Sequence, residues 1–127
     1  MIRVLLASED QSLQAELMRQ ARHLDIRVIP ASPHNALELA RSLAPEFVIL
    51  DSDPRVDSRL LLARLKQDVR TCGLRVAMLS NTRDEKLHRF CRELRALHLQ
   101  EKPLPADYLE TLVNVRASSG WVALRSA

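Results

Sequence analysis

The chain has 127 residues, 46% hydrophobic and 28% charged, with 19 Lys and Arg against 16 Asp and Glu for a net charge of +3. That length makes one domain able to bury a core without disulfide or metal staples. Two glycines exclude a glycine-rich phosphate loop, 3% aromatics leave no base-stacking platform, and the mild basic excess permits an anionic partner without requiring one.

Ile2–Ala7 (IRVLLA) is a short apolar run and predicts a buried strand. Gln11–Leu24 follows with Leu13, Leu17, Ala21 and Leu24 at helical spacing. Ile26–Ala31 (IRVIPA) reads as a second strand. A second helix is expected over 32–45, with Ser32 as N-cap, Pro33 at the first helical position and Pro45 as its stop. Glu46–Asp51 (EFVILD) is a third strand, apolar enough to be buried on both faces. Helices are expected over 57–69, 83–98 and 105–117, and strands over 74–80 and 97–103. Five short apolar strands alternating with five helices predict a doubly wound α/β sheet of parallel strands, flavodoxin-like in class. Residues 1–117 make this domain, and 118–127, with Trp121, form a tail or linker root.

Cys72 and Cys91 are widely separated and read as reduced thiols of a cytoplasmic protein. No apolar run approaches the roughly 20 residues of a membrane helix, and the N-terminus turns acidic too early for a signal peptide. His23, His34, His88 and His98 show no metal-ligand spacing and read as surface or helix-end residues.

Ligands of such sheets bind at the carboxyl ends of the strands. Strand 1 ends in Ser8, Glu9 and Asp10, strand 3 in Asp51, strand 4 in Ser80 and strand 5 in Lys102. Clustered carboxylates repel and call for a cation. Mg²⁺ suits one or two carboxylates with water and phosphate oxygens. An aspartate beside Mg²⁺ and an ammonium can attack phosphorus. Taken singly, an acid after a strand usually caps the next helix, and a strand-end serine usually serves a turn. It is the joint pattern over four strands that is specific.

In these residues the chain resembles the receiver (CheY-like) domain of two-component response regulators, over roughly Ile2–Arg116. The resemblance implies Asp51 in FVILD as phospho-acceptor, Ser80 in VAMLS and Lys102 in LQEKP as phosphoryl-binding and switch residues, and Mg²⁺ as cofactor. Glu9, Asp51 and the backbone of Asp53 would be the metal ligands. Aligning the first helix by its apolar positions puts Ser8 and Glu9 at the family's paired acids, so one acid is lost. A one-residue slip would put Glu9 and Asp10 there; the first register is preferred. Other departures are the SDPRVDS loop, with Ser58 replacing a glycine, and Leu99 at an aromatic switch position.

The resemblance further implies a histidine kinase or phosphotransfer protein as donor. Its response would be a remodelled surface of helix 4, strand 5 and helix 5 that acts on an output domain, a partner or a second copy of the chain. Three alternatives compete. A pseudo-receiver would bind partners without phosphorylation. Asp51 and Asp53 also resemble the D-x-D of haloacid-dehalogenase-like phosphatases, but two strands precede them. Only Asp107 and Glu110, in a helix, follow Lys102. Helix 4 is basic (Arg83, Lys86, Arg89, Arg92, Arg95), but Asp84, Glu85 and Glu93 interrupt it, so a solvated or partner-binding face is expected over one that binds nucleic acid.

Overall fold

The strands form one parallel sheet in the order β2-β1-β3-β4-β5. They are β1 (Ile2–Ala7), β2 (Ile26–Ala31), β3 (Phe47–Ser52), β4 (Arg75–Ser80) and β5 (Leu99–Glu101). Between and after them come α1 (Gln11–Ala21), α2 (Ala36–Leu43), α3 (Ser58–Gln67), α4 (Glu85–Glu93) and α5 (Tyr108–Val113). The structure, a computed structural model, describes residues 1–52 and 58–114, so Asp53 and the expected tail lie outside the described residues.

Successive strand residues point to opposite faces. Val4, Leu6, Ile49 and Leu79 meet Leu13 and Leu17 of α1 and Leu109 and Leu112 of α5. Leu5, Val48, Leu50 and Met78 meet the other side, with Ala40 of α2, Leu62 and Leu65 of α3, and Leu87 and Cys91 of α4. Both faces of the central strands are therefore covered, which is why their sequences run apolar instead of alternating. Each fully buried leucine contributes roughly 2 kcal/mol to holding the layers together.

The helices are shorter than their sequence patterns predict. Ser32 does not cap α2: its Oγ accepts the His34 N–H at 3.2 Å and its carbonyl accepts the Asn35 N–H at 3.2 Å. Those bonds make a turn of 33–35, and the helix begins at Ala36. The fourth helix begins after Asp84, whose Oδ1 accepts the Lys86 and Leu87 N–H groups, and stops at Glu93. It cannot reach residue 98, because the Leu97 N–H already donates to Val76 O at 2.7 Å and the Met78 N–H to His98 O at 3.1 Å. His98 is thus a fully buried residue at the entry to β5, not the surface or helix-end residue its sequence context suggests. With only two glycines in the chain, Ala44 (φ 45°) and Arg95 (φ 61°) take the left-handed turns that end α2 and α4. These are positions where glycine is the usual choice.

Gln20 ties α1 to α5. Its Oε1 accepts the buried Leu109 N–H at 3.0 Å, and its Nε2 donates to Pro105 O at 2.9 Å. Gln20→Met keeps the packing but strands the Leu109 N–H, and it is expected to cost about 2 kcal/mol. Urea unfolding checks this; a cost near zero would mean the bonds only follow the packing.

Candidate functional site

The sheet reverses its winding between β1 and β3, the place where an open α/β sheet leaves a crevice at its carboxyl edge. The β1–β3 register ends at Ala7 opposite Leu50. One residue further on, Ser8 and Asp51 stand beside each other. Asp51 is buried, with 5% of its side chain exposed, at the point where the apolar run of β3 gives out.

Both oxygens of Asp51 are engaged. The Lys102 ammonium donates to Oδ1 at 2.7 Å, and the Ser8 hydroxyl donates to Oδ2 at 2.8 Å. Lys102 is itself only 14% exposed. Its backbone N–H donates to Ser80 O at 2.8 Å, so the β4–β5 ladder sets its height on the edge. Ser8 is fixed from behind: its Oγ accepts the Asp10 N–H at 3.0 Å and its carbonyl accepts Gln14 Nε2 at 2.8 Å. The hydroxyl of Ser58, at the start of α3, donates to the Asp51 carbonyl at 2.9 Å. That bond joins β3 to the next helix.

The other expected site residues are placed differently. Asp10 is the N-cap of α1, its Oδ1 accepting from Ser12 and Leu13. Glu9 is exposed and lines a polar cleft with Ser8, Gln11, Gln14, Ser32 and Asn35. Ser80 is buried, but its Oγ donates to Thr82 O at 2.7 Å and accepts the Thr82 N–H at 3.2 Å. It therefore braces the loop after β4. Leu99 is partly buried and packs into the apolar cluster beneath α2, α3 and α4. Asp53 lies outside the described residues.

Mg²⁺ needs one or two carboxylates supplemented by water and phosphate oxygens. Asp51 is one, and Glu9, one residue past Ser8, is a second on the same edge. Among the described residues no group of three His, Cys, Asp or Glu side chains comes together. Glu9 and Asp51 could supply the one or two carboxylates that Mg²⁺ requires. A serine stands where a third carboxylate would complete a richer site.

Three groups here escape the sequence pattern. Ser8 enters it as a lost acid, yet its hydroxyl is one of the two donors to the Asp51 carboxylate, at 2.8 Å. Gln14 carries no signal beyond its place on the first turn of an amphipathic helix. Ser58 stands out in the sequence only as a replaced glycine.

No protein-family model matches the chain, and no curated protein matches it at a significant level. Solved structures do match. The chemotaxis response regulator CheY4 of Vibrio cholerae superposes with a TM-score of 0.80 at 18% identity, over 91% of this chain and 99% of that one. A LuxR family DNA-binding response regulator from Silicibacter pomeroyi gives 0.78 at 19% identity, over 98% of both chains. A response regulator from Desulfuromonas acetoxidans gives 0.77 at 18% identity, over 89% and 94%. The chain has the flavodoxin-like fold of response-regulator receiver domains. No helix among the described residues is long and apolar enough to cross a membrane.

Proposed function

We propose that the chain is a cytoplasmic receiver module of two-component signalling whose Asp51 accepts a phosphoryl group from the phosphohistidine of a histidine kinase or phosphotransfer protein. One observation carries the reading: a single buried carboxylate ends the middle strand of a receiver-type sheet and is paired with the Lys102 ammonium at 2.7 Å. In the transfer an Asp51 oxygen bonds to phosphorus while the P–N bond to the donor imidazole breaks, and the electron pair leaves with the imidazole. The carboxylate oxygen must first shed a hydrogen bond. Oδ2 does so at lower cost, because it gives up a neutral hydroxyl and not an ammonium. Lys102 then pairs with the phosphoryl oxygens, and the Ser8 and Ser80 hydroxyls would donate to them. Glu9 and Asp51, with the backbone of Asp53, would hold Mg²⁺, which when bound offsets charge on the transferring group. Withdrawal of Ser80 Oγ from Thr82 would free the loop after β4 and so shift the α4-β5-α5 surface toward a partner or output domain.

A second reading has its own observation. Both Asp51 oxygens already receive protein donors, and Ser8 stands where an acid would help bind metal. That arrangement suits a pseudo-receiver that binds partners without being phosphorylated. Incubation with Mg²⁺ and acetyl phosphate, read by intact mass, separates the two. The expected result is one phosphoryl adduct on the native chain and none on Asp51→Asn. No adduct on the native chain, together with no change in the Ser80 amide signal under Mg²⁺ and beryllium fluoride, would leave the pseudo-receiver standing.

A further inference from the structure

The positive charge of this protein is concentrated in one stretch of the chain. Residues 58–95 carry ten Lys and Arg against four Asp and Glu, a net of +6, so the rest of the chain sums to −3. That segment comprises α3, β4 and α4, and α3 packs directly on α4. At 100° per residue, Arg59 and Lys66 of α3 fall on the flank that meets α4. His88 of α4 and Arg95, just past its end, fall on the flank that meets α3. The ion pair from Arg59 to Asp84 at 3.3 Å fixes one end of the groove between them.

Further along, cation faces cation. Lys66 is half-buried, and among the described residues its ammonium reaches only the Leu74 carbonyl, at 3.5 Å. Burial holds its pKa below the usual lysine value; nearby Cys72 offsets part of this, and the charge of Arg95 adds a smaller lowering. Arg95 occupies a left-handed conformation (φ 61°) that glycine would adopt at lower cost. Among the described residues no carboxylate pairs with Lys66, Arg92 or Arg95. The negative ends of α3 and α4 favour cations and offset part of the repulsion. They do not require two cations side by side at a strained position.

We propose that the groove between α3 and α4 docks an acidic segment of a partner protein, with Lys66, Arg92 and Arg95 as its counter-charges. Three features favour protein over nucleic acid. Asp84, Glu85 and Glu93 interrupt the cations and would repel a continuous phosphate backbone, but they would set the register of a short acidic segment. Val69, 90% exposed just past the end of α3, gives an apolar anchor for a protein chain. The chain also lacks aromatics for stacking bases. Lys66 and Arg95 stand at the C-terminal ends of α3 and α4, at the other end of the groove from Ser58 and Asp51, and their role does not depend on the chemistry of Asp51.

The probe is a short fluorescein-labelled poly-glutamate peptide at low ionic strength, read by anisotropy and by amide chemical shifts. Binding should weaken as salt rises, and shifts should gather in residues 59–70 and 84–95. Lys66→Gln with Arg95→Gly should weaken binding about tenfold, roughly what losing two partly desolvated charge contacts implies. Ala44→Gly, which relieves the other left-handed turn without touching charge, should leave affinity unchanged. Thermal melts of the double variant should not fall, since glycine suits position 95. Shifts elsewhere, or native affinity in the double variant, overturn the proposal. So does tighter binding of a DNA duplex than of the peptide at equal ionic strength, which would make the groove a nucleic-acid surface instead.

Discussion

Lys102→Met is expected to cost the fold about 3 kcal/mol, several times the cost of Asp51→Asn. The two residues form one buried ion pair, but they differ in what is left behind when each is removed. Without Lys102, the Asp51 carboxylate remains 5% exposed with only the Ser8 hydroxyl to stabilise it. A buried charge that loses its counter-ion typically costs 3–5 kcal/mol, and a site on the sheet edge belongs at the low end. Without the Asp51 charge, Lys102 keeps an amide oxygen as acceptor, and its long stem can carry the ammonium out to solvent. Asp51→Asn should therefore cost about 1 kcal/mol or less. The double variant should recover most of the Lys102→Met loss, because no unpaired charge remains. Urea titrations of the four proteins measure all of this, with a melting temperature about 10 °C lower for Lys102→Met. Equal costs for the two single variants would show that the pair is solvated and that Asp51 is not the isolated carboxylate the site reading needs.

Acid should unfold this protein early, and His98 should be the reason. The ring is fully buried between β5 and α5, with Nε2 2.7 Å from the Tyr108 hydroxyl. Nδ1 has no protein partner among the described residues. Burial pushes the His98 pKa down to about 4, against an ordinary value of 6.5. Between those two values the unfolded chain holds a proton that the folded chain refuses. Stability then falls as pH drops from 6.5 to 4, by about 3 kcal/mol in all, and this group contributes no slope above pH 6.5. Glu16, Glu46 and Asp68, whose pKa values are lowered mainly by hydrogen bonds, add their own losses only at lower pH. His98→Gln should flatten the slope between pH 6.5 and 4.5 while leaving the acid limb below it. Burial also holds the Tyr108 phenol protonated above its ordinary range, so a second loss is expected at high pH. A native chain with constant stability from pH 7 to 5 would mean that water reaches the His98 ring.

The site was partly readable as sequence. Asp51 stands out because an apolar run long enough for a buried strand ends in charge, and Lys102 and Ser80 because they too close strand-like runs. Ser8 did not stand out as a donor. Its role depends on the β1–β3 register, a pairing across 43 residues that no local pattern encodes. His98 was misplaced for a related reason. The basic, amphipathic pattern of α4 continues past Glu93, and only the bonds from Leu97 and His98 into β4 end it. The helix start expected at Ser32 gave way to a turn, since a serine can bond its own neighbours as readily as cap a helix.

The sequence by itself determined the order of strands and helices, the two-sided burial of the sheet and the residues that close each strand. All of these follow from local periodicity and from where apolar runs meet charge. Tertiary structure alone decided which of those strand ends touch. It set Ser8 and Lys102 on the two oxygens of one carboxylate, turned Ser80 toward its own loop, gave Asp10 to the helix it precedes, and buried His98 against Tyr108. The reason is geometric. A strand end fixes a height on the sheet, but only the register between distant strands fixes what lies beside it.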